Sequence, residues 1–406
     1  MLELWTIGGI TASLVGYLAT EHALHQKRLL EIPIRIHVNG TRGKSSVTRL
    51  IAAGLRAGGI RTCAKTTGTL PRMILPDARE LPVFRPAGAN IREQIRIVAV
   101  ARAFEAKALV LECMALQPLL QWLSEEKIVR ATHGVITNAR PDHLDVMGPG
   151  PEDVARALCG MVPRSGTLYT AEQTHLPILG DAAKDRKSGL VAIDDDAVAA
   201  ITPADLEGFS YREHPDNVAV ALRVCEDLDV PRETALRGMW AAKPDSGAMT
   251  ERILEFFGRE VTFFNAFAAN DPMSTEQIWR MVMEKRPPAS KSIVVMNCRS
   301  DRADRSIQLG EALATWTPPD HVVLVGSGTA LFARAAVKAG VEPTKLVSAE
   351  PYSVSQIFEM IMELVDEKAY VVGMGNIGGP GLELVRFFHN RSIPVGAQRE
   401  KGRRVP

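Results

Sequence analysis

The sequence predicts an α/β fold of two globular domains: a doubly wound central domain and a smaller parallel-sheet domain, preceded by an N-terminal apolar helix. Three observations predict it. Past Pro33, apolar strand, Gly-rich turn and amphipathic helix alternate repeatedly, the pattern of a sheet with helices on both faces. The 406 residues, 46% of them apolar, are enough for two packed cores. A polar stretch with Pro and Gly, residues 241–250 (AAKPDSGAMT), interrupts the alternation and reads as an interdomain linker. The predicted division is an N-terminal helix over 1–30, a central domain over 31–245, a second domain over 246–396 and a basic tail over 397–406. The tail lacks apolar periodicity and is expected to be disordered.

Taken in order, the first element is Leu4 to Ala19, sixteen residues without charge, followed by His22, His25, Lys27 and Arg28. It predicts a membrane-associated helix, with the basic flank and hence the protein on the cytoplasmic face of the cell membrane. The run is shorter than the roughly 20 residues that cross a hydrocarbon core, so a buried or fraying helix is the alternative. Glu3 replaces the basic start of a secretory signal, and no small-residue cleavage site precedes Lys27. In the central domain, strands are expected at Ile34 to Val38, Ala108 to Leu111, Gly134 to Thr137 and Thr167 to Tyr169. Helices are expected after Lys44, around Ile91 to Phe104, from Asp153, at Asn217 to Leu228 and at Arg232 to Trp240. In the second, Rossmann-like domain, strands at Glu260 to Phe264, Ser292 to Met296, His321 to Val325 and Ala369 to Val372 alternate with five helices.

Charge and cysteine usage exclude other classes. Lys plus Arg number 48 against 47 Asp plus Glu, and a net charge of +1 gives no broad basic field for nucleic acid. The five cysteines are scattered and never form CxxC, against a disulfide framework or a structural zinc site.

Three segments carry chemistry. In IRIHVNGTRGKSSVTRL a strand enters Gly40, Thr41, Arg42, Gly43, Lys44, Ser45 and Ser46 and a helix leaves: a shortened P-loop, GxxGKS, with Val38 where the usual first glycine stands. Backbone N–H groups and the helix N-terminus of such a turn converge on phosphate oxygens. Lys44 would reach the β- and γ-phosphates of ATP, and Ser45 would offer a hydroxyl to Mg²⁺. In KALVLEC, Glu112 ends an apolar strand, at the edge where ligands bind in open α/β sheets, and is a second metal candidate. In VITNARPDHLDVMG, Asn138, Asp142, His143 and Asp145 follow another strand, and a neutral His143 could coordinate the metal or orient a carboxylate.

GTRGKSS, the strand ending in Glu112, TNxxxDHLD and HPDNVAVAL resemble the central domain of the Mur ligase family, which includes folylpolyglutamate synthase. TTGT at Thr66 to Thr69, ECMA, DHLDVMGP, PDSGAM, AANDP and MNCRSDRADR more closely resemble the ligase subunits of membrane poly-γ-glutamate synthases, the CapB/PgsB type. The resemblance spans most of the chain. It implies an ATP-dependent amide ligase that polymerises glutamate for a capsule or secreted polymer. It also implies small integral-membrane partner subunits, while a homo-oligomer stays open. By motif, it makes Lys44 and Ser45 phosphate and metal residues, and Glu112 and His143 ligands of Mg²⁺. Asn217 becomes the adenine-contacting residue, and Thr66 and Thr67 a loop near the γ-phosphate, Thr67 beside the metal. The run Arg299, Ser300, Asp301, Arg302, Ala303, Asp304, Arg305 resembles the family's DR-rich segment, with Arg299 and Asp301 toward the nucleotide. Two departures stand out. Ala157 occupies the position near which Mur ligases carry a carbamylated lysine, and FAANDP replaces DYAHNP, leaving Asn270 and Asp271 where a histidine and an asparagine usually stand.

The expected chemistry follows from the substrates. A carboxylate is a poor electrophile until phosphorylated, so ATP would convert a γ-carboxylate to an acyl phosphate that the amine of the next glutamate attacks. His143 and Asp271 are the candidate bases. Both substrates are anionic, and Arg72, Arg85, Arg92, Arg299 and Arg302 are candidate carboxylate partners. The rival readings are a folate- or cell-wall-precursor ligase of the same fold and a nonenzymatic P-loop switch.

Overall fold

The structure, a computed structural model, describes residues 2–68, 70–85, 88–245 and 248–394; the predicted tail over 397–406 and Thr69 of the TTGT string lie outside them. The chain divides into two compact units, one of residues 1–209 and 213–243, the other of residues 210–212 and 244–406. The main division falls between Lys243 and Pro244, inside the polar stretch.

The first unit is built on eight strands: β1 (Ile34–Asn39), β2 (Thr62–Lys65), β3 (Arg72–Ile74), β4 (Glu80–Pro82), β5 (Ala108–Glu112), β6 (His133–Ile136), β7 (Thr167–Thr170) and β8 (Gly189–Ala192). Their order is β4-β3-β2-β5-β1-β6-β7-β8, parallel from β2 to β8, with β3 and β4 antiparallel at one edge. The innermost strands are buried on both faces, which is why they read as continuous apolar runs. The edge strands β3 and β4 escape a periodicity search: each has three residues, including an arginine, a glutamate or a proline. Helix α1 spans Leu2–Leu30, α2 Lys44–Ala57 and α3 Glu93–Ala103. In α2, Val47, Leu50, Ile51 and Leu55 recur at helical spacing and are fully buried.

Helix α1 is continuous over 29 residues, longer than the uncharged run alone predicts. Residues 5–20 are exposed on every side, among them Trp5, Ile10, Leu14 and Tyr17. Among the described residues no helix is long and apolar enough to cross a membrane. The C-terminal third of α1 docks on the unit. Leu29 and His25 are buried, His25 Nε2 donates to the carbonyl of Ile128 at 2.7 Å, and Arg92 pairs with Glu21 at 3.0 Å.

The second unit was expected to hold a parallel sheet and instead holds a mixed one. Its strands are β9 (Thr250–Phe256), β10 (Arg259–Asn265), β11 (Lys291–Cys298), β12 (His321–Gly326), β13 (Leu346–Ser348), β14 (Lys368–Met374) and β15 (Ile393–Pro394), in the order β13-β12-β11-β14-β10-β9-β15. β9 runs antiparallel to β10, and β15 antiparallel to β9. The reason is local: Phe257 and Gly258, both at positive φ, close a two-residue hairpin between β9 and β10. Assigning residues 241–250 to a linker hides the start of β9. Alternate residues of the central strands face opposite cores. Phe263, Val295 and Val323 lie on one side with Phe388, and Phe264, Val294 and Val322 on the other with Phe332.

Candidate nucleotide site

The P-loop joins β1 to α2 at the centre of the first sheet, with β5 and β6 on either side of β1. Gly40 has φ 134° and Gly43 φ 82°, both in the region that favours glycine. A Cβ on Gly40 would lie 2.0 Å from Thr137 Oγ1 and 3.0 Å from the Thr137 amide nitrogen, so the main chain itself must yield. Gly40→Ala is therefore expected to lower ATP turnover by about a hundredfold, through a loop pushed about an ångström out of place. ADP release by the variant checks it, and turnover at the parental rate would contradict it.

The loop is clamped from the β6 side. Asn138 Oδ1 accepts from Thr41 Oγ1 (2.7 Å) and from the Arg42 amide (3.0 Å), its Nδ2 donates to the Arg42 carbonyl (3.1 Å), and its own carbonyl accepts from the Thr41 amide (3.1 Å). Thr137 Oγ1 donates to the Arg42 carbonyl at 2.6 Å. On the other side, Glu213 accepts from Ser46 Oγ (2.9 Å) and from Asn217 Nδ2 (2.8 Å). Asn217 is buried in the first turn of the helix Pro215–Glu226, against Gly43: a Cβ there would be 2.6 Å from Asn217 Oδ1. Glu213 was not singled out from sequence, although an acid just ahead of a helix opening HPDN is a visible signal.

Lys44 folds back over its own loop, donating to the carbonyls of Gly40 (2.5 Å) and Thr41 (3.4 Å). Burial holds its ammonium below the usual lysine range, against the pull of the Glu112 and Asp142 carboxylates.

Glu112, buried at the end of β5, gathers the candidate metal residues. Its Oε2 accepts from Ser45 Oγ at 2.8 Å and from the Thr67 amide at 2.7 Å, and its Oε1 from Thr67 Oγ1 at 2.5 Å. Two hydroxyls and a carboxylate are hard oxygen donors, which suits Mg²⁺ completing its shell with water and phosphate oxygens. Among the described residues no group of three or more His, Cys, Asp or Glu side chains could hold a metal by itself. His143 stands at the start of the short helix Leu144–Met147 at φ 47°, its Nε2 3.9 Å from Asp142. Asp142 in turn binds Arg42 of the loop at 2.9 Å, so His143 reaches the P-loop through a carboxylate.

The arginines sort differently. Arg85 holds Glu93 through two bonds, 2.6 and 2.9 Å. Arg92 is engaged with α1, and Arg72 starts β3, its amide donating to Thr66 Oγ1 at 3.2 Å. In the second unit Arg299 pairs with Asp301 at 2.6 Å, and both Arg299 and Arg302 line a cavity with Asn297 and Asn376. Asp271 caps the helix Pro272–Lys285, accepting from the Ser274 amide at 2.9 Å.

Behind the loop, a fully buried His37 on β1 donates from Nδ1 to Glu125 at 2.8 Å, and Glu125 sits in a π-helical turn, Ser124–Val129. Burial alone would depress the imidazole, but Cys113 and Glu125 outweigh it and raise it to about 10. The sign is that of a raised folded-state pKa. The pair's contribution is complete below the unfolded imidazole value of about 6.5 and is lost as pH rises through about 10. Thermal midpoints measured across that window should fall with pH, and His37→Gln should flatten the fall.

Residues 38–221 match the Mur ligase middle domain, and residues 250–391 the poly-gamma-glutamate synthase CapB C-terminal domain. The chain is 39% identical over 394 residues to "Capsule biosynthesis protein CapB" of Bacillus anthracis, covering 96% of this chain and 84% of that one. It is 36% identical over 377 residues to "PGA synthase CapB" of Bacillus subtilis (strain 168), covering 92% and 94%. Among solved structures it is similar to E. coli FolC in complex with ADP, with a TM-score of 0.66 and 17% identity over 94% of this chain and 98% of that one. It is equally similar, at TM-score 0.66 and 15% identity over 93% and 97%, to the Yersinia pestis folylpolyglutamate synthase/dihydrofolate synthase complexed with AMPPNP and Mn. These two likenesses show the fold.

Proposed function

We propose a mechanism from the premise that this chain belongs to the CapB family of Mur-type ligases. It is an ATP-dependent amide ligase of poly-γ-glutamate synthesis, with glutamate and the polymer as its substrates. The observation that carries the mechanism is the meeting of Ser45 and Thr67 on Glu112, one residue from Lys44.

ATP lies with its phosphates against the amides of Gly40 to Ser45, and Lys44 leaves the Gly40 carbonyl for the β- and γ-phosphates. Ser45, Thr67 and Glu112 would hold Mg²⁺, which would supply screening of the phosphate charge, with His143 beside Asp142 on the other side of the loop. A γ-carboxylate oxygen of the growing chain attacks the γ-phosphorus in line. The bond to the β-phosphate oxygen breaks and ADP leaves. The amine of the incoming glutamate then attacks the acyl carbon and gives its proton to a general base, for which His143 and Asp271 are the candidates, and inorganic phosphate departs from the tetrahedral intermediate. In this reading Asn217, which packs against Gly43, contacts the adenine. Phosphate release measured with and without L- or D-glutamate tests this reading. Release that ignores glutamate, with no polymer formed, favours a P-loop switch and defeats it.

Attachment to the cytoplasmic face of the membrane is part of the same proposal, supported by the exposed apolar residues 5–20 of α1. Small integral-membrane subunits are the partners we expect there. Deleting residues 1–20 should move the protein from the membrane fraction to the supernatant while leaving its circular dichroism otherwise intact. Retention in the membrane by the deleted form, expressed without other subunits, would rule out α1 as the anchor.

A further inference from the structure

Beside the metal carboxylate lies a buried charge cluster that the mechanism does not use. Lys65 ends β2, immediately before Thr66 and Thr67, and its side chain is fully buried. Its ammonium pairs with Glu93 Oε1 at 2.5 Å and touches Met114 Sδ at 3.7 Å. Glu93, at the first turn of α3, is itself buried and takes Arg85 in a two-point contact, Nε at 2.6 Å and Nη2 at 2.9 Å. The cluster adjoins the nucleotide site through two bonded neighbours. Lys65 is in register with Leu111, the residue before Glu112, and Gln94, the residue after Glu93, donates to the Glu112 carbonyl at 3.2 Å.

Two cations on one carboxylate leave one positive charge in a poorly solvated wall. Unbalanced charge in such a place is costly, and a fold that only needed to fasten α3 to β2 could use a neutral pair. Glu112 does not complete the balance: its carboxylate also attracts Lys44, so three cations, Lys44, Lys65 and Arg85, share two carboxylates, Glu93 and Glu112. Arg85 is the member that solvent reaches, with its side chain 17% exposed, and its Nη1 is not engaged by Glu93.

We propose that Lys65, Glu93 and Arg85 form a carboxylate-recognition site for the terminal residue of the acceptor chain, with Lys65 as its positioning residue. This rests on the ligase reading above. Lys65 neutralises Glu93, and Arg85 thereby keeps a full positive charge for the α-carboxylate next to the reacting γ-carboxylate. Guanidinium is suited to this because its planar fork matches carboxylate geometry. The cluster would then select an anionic acceptor end.

The test is ADP release by the full chain with a short γ-linked glutamate oligomer as acceptor, comparing wild type, Lys65→Met, Lys65→Arg and Glu93→Gln. Lys65→Met should raise the KM for the oligomer by about tenfold, the size expected for losing one nearby charge, while the KM for ATP stays within about twofold. Lys65→Arg should restore the oligomer KM. Glu93→Gln should lower it, because removing the negative charge strengthens the site. Opposite signs for Lys65→Met and Glu93→Gln are what charge positioning requires; a merely structural role damages both alike. An unmoved oligomer KM in Lys65→Met, or a rise in both variants, overturns the proposal. Should Lys65→Met fail to fold, the sign of the Glu93→Gln effect decides. Wild-type enzyme that ignores the oligomer would overturn the ligase reading itself, whereas a responsive wild type with an unresponsive cluster overturns only this inference.

Discussion

Replacing Lys44 by alanine is expected to abolish polymer synthesis, with ADP release down by a factor on the order of a thousand or more, in a protein that still folds. The Lys44 ammonium lies over the loop itself, whereas Arg42 is paired with Asp142. It donates to the carbonyls of Gly40 and Thr41, where its charge offsets the inward-facing oxygens. The loop does not depend on it for shape. Asn138 and Thr137 grip Thr41 and Arg42 through five hydrogen bonds, and Glu213 holds Ser46 and Asn217. The lost function is therefore stabilisation of the transferring phosphoryl group. Nucleotide titration, ADP release and a melting curve on the same preparation separate the two effects. Polymer made at the parental rate by a folded Lys44→Ala protein would remove the P-loop from the mechanism.

Glu112→Gln should cost about a hundred- to a thousandfold in ADP release and shift the Mg²⁺ dependence to higher concentration. The substitution is nearly isosteric but chemically opposed to its site. Three donors, Ser45 Oγ, the Thr67 amide and Thr67 Oγ1, converge on the carboxylate. An amide nitrogen in place of either oxygen would turn a donor toward a donor. The charge that balances a divalent ion is lost as well. Magnesium titrations of ADP release give the diagnostic result: a parental Mg²⁺ profile in the variant would take Glu112 out of the metal site.

Much of this site was legible in the chain because its parts are local. A glycine that must adopt positive φ, a lysine and a hydroxyl at the head of a helix, and an acid at a strand end are all set by a few neighbouring residues. Ser45 and Glu112, 67 positions apart, could be placed together because one opens the helix after β1 and the other ends β5, both at the carboxyl ends of parallel strands. What stayed hidden depends on partners brought together by the fold. Glu213 has a visible place ahead of HPDN, but its role shows only when Ser46 and Asn217 are found donating to it. Arg85 and Arg92 have the same sequence character, yet one faces Glu93 and the other Glu21 of α1. Lys65 sits in a four-residue strand too short to announce itself. The second sheet was misread for the opposite reason: a hairpin of ordinary residues at Phe257 and Gly258 turns β9 back along β10, and its first strand merges into a polar stretch.

Helix α1 has a mechanical consequence. Its exposed residues 5–20 extend roughly 24 Å at about 1.5 Å per residue, without interruption from the part anchored by His25, Leu29 and the Arg92–Glu21 pair. A flexible tether would leave the first unit free to tumble beneath whatever holds it. A continuous rod keyed into the body transmits torque, so gripping its outer part sets both the height and the heading of that unit. Under the proposed attachment, every enzyme molecule would present its nucleotide loop at one fixed bearing to the membrane.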